Sequence, residues 1–368
     1  MTRPVPFLAL AQQTREIKRE LLAAVEAVLD SGQFILGEEV SRFEREFAKY
    51  CQTKYALGIA SGTCALHLAL EAAGIGRGDE VITAPNSFVA SASTIALVGA
   101  TPVFADIGPD LNLDPNLVEE ALTPKTRAIL PVHLTGRPAP MTEIMDISRR
   151  RNLKVIEDAA QAVGAALNGK RVGGFGDAGC FSVHPLKLLH ACGDGGVLTT
   201  NDPEIYAHIQ KSRNHGLADR STCEFWSYNC RLDEIQAAML RVQFKHLADR
   251  TETQRRIARR YAERLRSCVM VPVEADGEYC VYQTYIIQAD RRDDLQRYLA
   301  GQEIQTFVHY PIPIPLQPAA RTLGFSPNDF PMTMKAAERI LSLPIYPELT
   351  DDQQDYVIES ILQFYGEK

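Results

Sequence analysis

Near the middle of the chain stands Val155-Ile156-Glu157-Asp158-Ala159-Ala160-Gln161. Residues 153–156 read as a short apolar strand that runs out on two consecutive acids. Acids in that place suit the carboxyl edge of a parallel sheet, where such sheets hold their ligands. They also suit a strand-end acid that caps the following helix, and the segment by itself favours that plainer reading. Its surroundings are more decisive. Upstream, apolar runs at 55–60, 80–84, 102–105 and 127–132 read as strands, separated by helical segments at 64–73, 87–98, 115–122 and 140–150. Downstream, 180–183 and 196–200 add two more strands. Alternation of this kind predicts an α/β fold with a mostly parallel central sheet flanked by helices.

At the start, Ile17, Leu21, Leu22, Val25, Val28 and Leu29 recur at helical spacing over 14–30, with Gly32 as a stop. Val40, Phe43, Phe47 and Tyr50 repeat the pattern. Beyond the sheet, one long helical pattern runs from Leu232 to Leu265. A smaller α/β set follows: strand 279–288, helix 293–299, strand 304–308, and helices at 334–341 and 351–364. The expected organisation is a large domain over 1–245, with an N-terminal helical arm, and a small C-terminal domain over 246–368. Between their elements, His309-Tyr310-Pro311-Ile312-Pro313-Ile314-Pro315 is expected as a stiff extended loop, because proline removes donors and restricts its predecessor.

The 368 residues are 45% hydrophobic and 23% charged, as in ordinary globular proteins. A net charge of −7, from 39 basic and 46 acidic residues, argues against a nucleic-acid or anionic-membrane surface. The eight cysteines form no C-x-x-C pair and no paired metal spacing, so they are expected to be reduced thiols of a soluble, cytoplasmic protein. Neither a signal-type apolar run nor a stretch long enough to span a membrane is present.

Two further segments carry chemistry. Cys180-Phe181-Ser182-Val183-His184-Pro185-Leu186-Lys187 precedes the glycine-rich turn Gly193-Asp194-Gly195-Gly196. Most lysines are solvated and inert, yet one held just past a strand end is what an imine-forming cofactor needs. His184 has no partner at ligand spacing, and no metal is expected. Ser61-Gly62-Thr63, between a strand and a helix, fits either simple N-capping or a phosphate cradle of helix-terminal amides. A phosphate cradle, an acid at one strand end and a lysine at another together describe a pyridoxal phosphate (PLP) site. The acid would keep the pyridine nitrogen protonated and the lysine would form the imine.

The chain resembles the DegT/DnrJ/EryC1/StrS family of sugar aminotransferases, enzymes of the fold-type-I PLP architecture. The likeness runs in order through Ser61-Gly62-Thr63-Cys64-Ala65-Leu66, Gly78-Asp79-Glu80-Val81-Ile82, Pro131-Val132-His133-Leu134 and Glu157–Gln161. It continues through Arg213-Asn214-His215-Gly216, Asn229-Cys230-Arg231-Leu232-Asp233-Glu234, His309-Tyr310-Pro311 and Leu341-Ser342-Leu343-Pro344. The resemblance implies catalytic roles for Lys187, as Schiff-base lysine and proton shuttle, and for Asp158, on the pyridine nitrogen. It places Gln161 near the phenolic oxygen, Phe88 against the ring, and Gly62, Thr63 and Ser182 at the phosphate. Asn229 matches an asparagine that reaches the phosphate from the neighbouring subunit, which implies a homodimer with shared sites. Arg231, His309 and Tyr310 match sugar-nucleotide contacts. Leu188 and Cys230 depart from the asparagine and serine frequent there.

The activity so implied is transfer of an amino group from L-glutamate to a nucleotide-linked 3-keto- or 4-keto-sugar, with pyridoxamine 5′-phosphate as the cofactor's aminated form. Three alternatives stand beside it. A keto-cyclitol acceptor would use the same machinery. A PLP-dependent sugar dehydratase would carry histidine at position 187. A catalytically silent regulatory homologue would not need Lys187, Asp158 and Gln161 intact.

Overall fold

A computed structural model describes residues 4–366. Two helices open the chain, α1 (Leu10–Ser31) and α2 (Glu38–Tyr50). Gly32 ends α1 in the left-handed conformation, its N–H returning to the carbonyls of Val28 and Leu29, a glycine-closed helix end. Ile17 and Leu21 then meet Met239 and Val242 of a later helix. Val40, Phe43 and Phe47 of α2 enter the main core.

The central sheet is built from β1 (Tyr55–Ile59), β2 (Glu80–Thr83), β3 (Thr101–Phe104), β4 (Thr126–Leu130) and β5 (Lys154–Asp158). A short hairpin, β6 (Ala166–Leu167) and β7 (Lys170–Arg171), precedes the last two sheet strands, β8 (Ala178–Ser182) and β9 (Gly196–Thr200). The order across the sheet is β1-β9-β8-β5-β4-β2-β3. Every pairing is parallel except the two made by β9, so only β9 runs against the rest. Such a sheet is covered on both faces. Successive residues of β5 show it: Val155 and Ile156 are both fully buried but belong to different core clusters, because strand side chains alternate in direction.

Between strands lie α3 (Gly62–Ala72), α4 (Ala90–Leu97), α5 (Pro115–Glu120) and α6 (Met141–Arg151), and α7 (Pro203–Ser212) follows β9. The expected single long helix is two, α8 (Glu234–Lys245) and α9 (Leu247–Leu265), divided by a turn at His246, whose N–H bonds the carbonyl of Gln243 three residues back. The apolar period resumes at once in α9, so the sequence pattern does not register the break.

In the C-terminal part, β10 (Glu278–Tyr279) adds to the β6–β7 hairpin and β11 (Tyr285–Gln288) stands apart from it, so the strand expected over 279–288 is interrupted. After α10 (Arg292–Gly301), the strand expected over 304–308 is absent: Ile304 bridges to Val5 and Phe307 to Ser342, two partners that share no ladder. α11 (Pro331–Arg339) passes directly into β12 (Ile340–Leu343), antiparallel to β11, where a helix was expected to continue to Leu341. α12 (Asp351–Tyr365) completes this part, whose core includes Tyr261, Tyr285, Ile287, Leu295, Leu341 and Ile361. No helix among the described residues is long and apolar enough to cross a membrane.

Candidate active site

The carboxyl ends of β1, β5 and β8 converge on one cavity of about 360 Å³. Gly62, Thr63, Phe88, Asp158, Gln161, Ser182, Lys187 and Tyr310, all singled out from the sequence, line it together.

β5 delivers its two acids in opposite directions. Asp158 faces the cavity and is buried. Its carboxylate accepts from Ser91 Oγ at 2.7 Å and from the Ala160 N–H at 3.1 Å, and Ser87 Oγ lies 3.0 Å behind Ser91. Burial pushes the Asp158 carboxyl above the usual range, opposed by these hydrogen bonds and by the nearby Lys187 charge. Glu157 turns away into protein. It accepts from the N–H groups of Gly173 (2.7 Å), Phe175 (2.7 Å) and Gly176 (2.8 Å), and from His133 Nε2 (3.0 Å). His133 Nδ1 accepts from the Ala139 N–H, so in the neutral ring the proton sits on Nε2, facing Glu157. Glu157 thus organises the 173–176 turn and leaves the cavity to Asp158.

Lys187 stands in the irregular segment after β8. Burial pushes its amine below the usual lysine value, while the Asp158 charge pulls it back up. Its side chain lies where the first cavity meets a second of about 630 Å³. The second is lined by His309, Tyr310, Phe307 and the N-terminal residues Phe7 and Leu8. Gln161 and Tyr310 border both spaces. The Gln161 carbonyl oxygen accepts from the Thr135 N–H at 2.7 Å, which leaves its NH₂ to approach Tyr310 Oη at 3.4 Å. Burial, with Asp158 adding to it, raises the Tyr310 phenol to about 12. His309 Nδ1 is fixed by Ser342 Oγ at 2.8 Å, and burial lowers its pKa, with the Lys187 charge adding to the effect. Phe88 is half exposed, its ring 5.7 Å from that of Tyr310.

At β1, Ser61 caps α3 by accepting the Cys64 N–H at 3.1 Å. Helix geometry leaves the N–H groups of Gly62 and Thr63 without intrahelical acceptors, and they stand at the cavity wall. A Cβ on Gly62 would sit 2.9 Å from Ser182 Cβ, so only glycine lets this turn lie against β8. The capping role and the anion-cradle geometry therefore coexist.

Two expected residues stand apart. Asn229 is exposed, and neither it nor Arg231 lines these cavities; Arg231 is held by Asn214 Oδ1 at 2.8 Å. Conversely, Ser91 and Gln283 belong to the site without having been singled out. Each is an ordinary polar residue whose partner lies 67 or more positions away. Among the described residues no group of three or more His, Cys, Asp or Glu could hold a metal ion.

The donor set suits PLP. A buried carboxylate fits a pyridinium nitrogen, a buried amine fits an aldehyde, and helix-terminal amides with Ser182 fit a phosphate.

The chain has relatives along its whole length. The chain is 46% identical over 366 residues to a "pleiotropic regulatory protein" of Geobacillus stearothermophilus, covering 98% of each chain. It is 40% identical over 366 residues to a dTDP-3-amino-3,4,6-trideoxy-α-D-glucose transaminase of Streptomyces venezuelae, covering 99% of this chain and 97% of that one. The crystal structure of S. venezuelae DesV in complex with a ketimine intermediate superposes with a TM-score of 0.97 at 40% identity, covering 100% of both chains. A sequence profile matches residues 15–362, and the chain belongs to the DegT/DnrJ/EryC1/StrS aminotransferase family.

Proposed function

We propose that this aminotransferase moves an amino group from L-glutamate to a keto carbon of a nucleotide-linked sugar, with PLP as cofactor. The observation that carries the reading is the burial of the Lys187 amine and the Asp158 carboxylate in one cavity floored by the start of α3. When bound, PLP supplies an aldehyde that condenses with amines and a ring that withdraws electrons from the carbon bearing the nitrogen. Asp158, oriented by Ser91, would hold a proton at the ring nitrogen. Gly62, Thr63 and Ser182 would hold the phosphate, Gln161 would serve the cofactor's phenolic oxygen, and Phe88 would face the ring.

Lys187 moves the protons. Its lowered pKa leaves more free amine at neutral pH, as a general base requires. It takes the proton from Cα of glutamate and, in the return half, gives a proton to the sugar carbon that receives nitrogen. The larger adjoining cavity, with His309 and Tyr310, admits the sugar. Asn229, exposed and outside its own chain's cavity, completes the phosphate site of a second subunit, which makes the enzyme a homodimer. We further read it as a cytoplasmic protein of two domains dividing near residue 245.

The S. venezuelae relative is named for a dTDP-linked 3-amino sugar, which favours carbon 3 and a dTDP carrier here. The regulatory name of the G. stearothermophilus relative favours a silent homologue, but a regulator has no need of Lys187, Asp158 and Gln161 in one cavity. The test is incubation of the PLP-loaded protein with L-glutamate and a dTDP-linked 3-keto-sugar, followed by mass spectrometry. The expected product is the nucleotide-linked amino sugar with 2-oxoglutarate. A deoxygenated keto-sugar with ammonia would instead mean a dehydratase, and turnover of a keto-cyclitol alone would remove the nucleotide-sugar assignment.

A further inference from the structure

Residues 183–192 carry the lysine but form neither helix nor strand. The segment's backbone groups have no ladder to pair with, and on either side of Lys187 one side chain supplies the partners. Gln283, between β10 and β11, accepts from the Leu188 N–H with its Oε1 at 2.9 Å and donates to the Leu186 carbonyl with its Nε2 at 2.8 Å. A primary amide presents one acceptor and one donor in a plane, the same pair a neighbouring strand would offer, so Gln283 stands in for the missing strand.

Gln283 is itself held. The Gly136 carbonyl accepts from Val281, and Thr284 reaches the Thr135 carbonyl. A Cβ on Gly136 would come within 2.9 Å of the Gln283 nitrogen, so the two backbones are in contact. Thr135 in turn anchors Gln161. The lysine and the glutamine that face the same cavity are therefore registered to each other through residues 281–284.

We propose that Gln283 is the positioning residue for Lys187, fixing the height and direction of its amine against Asp158 and Gln161. The inference rests on Lys187 being the imine-forming lysine. Methionine at 283 keeps the length and loses both hydrogen bonds. Glutamate keeps the acceptor, loses the donor and adds a negative charge to the cavity wall that residue 283 shares with Lys187, which favours the ammonium form.

The experiment compares PLP-loaded parent, Gln283→Met and Gln283→Glu. In Gln283→Met we expect visible circular dichroism to fall at least twofold at equal cofactor content. Its kcat with L-glutamate should fall at least thirtyfold while KM changes less than threefold. In Gln283→Glu the acid limb of the kcat–pH profile should move up by half a pH unit or more, and in Gln283→Met it should stay. A mere loss of packing would not separate the two variants in this way. Parent-like dichroism and kcat in both variants overturn the proposal. Borohydride reduction of the parent keeps the two readings apart. A pyridoxyl label on Lys187 with unperturbed variants sinks only the role of Gln283, and a label on another lysine sinks both.

Discussion

Replacing Asp158 by asparagine keeps the shape of the site and removes one charge. The asparagine carbonyl can still accept the Ala160 N–H, and the Ser91 hydroxyl can turn to accept from the new NH₂. What is lost is the anion that holds a proton on the pyridine nitrogen. A hydrogen bond to a charged partner contributes about 1.5–3 kcal/mol, and the buried position, shielded from water, puts this one near the upper end. A loss of about 2.7 kcal/mol in the transition state is a hundredfold in rate. The assay is the single-turnover conversion of L-glutamate to 2-oxoglutarate by protein loaded with PLP, followed in the visible band. Stability should move the other way. Burial raises the Asp158 pKa, so the folded chain binds that proton more tightly than the unfolded chain. The charged carboxylate therefore subtracts from stability, fully so above its folded pKa and not at all below its unfolded one. At pH 7 the cofactor-free Asp158→Asn protein should melt no lower than the parent. A half-reaction within threefold of the parent would refute the role given to Asp158.

Glu157→Gln, one residue away, should do the reverse. It leaves two of four inward donors facing an NH₂ and costs about 2–4 kcal/mol of unfolding free energy, with kcat changed less than threefold in the fraction that folds. Urea denaturation and active-site titration measure both, and a stable but inactive variant would exchange the roles assigned to the two acids. His190, bonded to Gln13 Oε1 at 3.0 Å, has its pKa lowered by burial to about 4. The unfolded chain then takes up a proton that the folded chain refuses, so this residue removes about 3 kcal/mol of stability as pH falls from about 6.5 to about 4. In His190→Gln that loss is absent, and the stability gap to the parent measured at pH 7 should narrow by 4.5; a gap independent of pH would contradict the shift.

The parts of the site legible in the sequence are those where one short segment carries both geometry and chemistry. Val155–Gln161 announces a strand and its terminal acid together, and Ser61-Gly62-Thr63 announces a helix start able to cap itself or to cradle a phosphate. Lys187 follows a strand within five residues of Ser182. What escaped depends on contacts between distant residues. Ser91 is one of two serines on a short, mostly apolar helix until Asp158 lies against it, and Gln283 has meaning only beside the backbone of 186–188. The same cause produced the errors in secondary structure. Ile304, Thr306 and Val308 recur at strand spacing, but Ile304 and Phe307 bridge to different neighbours, and the helical period across His246 continues although a turn breaks the helix there.

The cavity takes its walls from residues as far apart as Ser61 and Tyr310, and His309 is tethered in turn to Ser342. During synthesis Lys187 therefore meets the walls supplied by Gln283, His309 and Tyr310 only after most of the chain has left the ribosome. Until then the space that joins the two cavities lacks its C-terminal side.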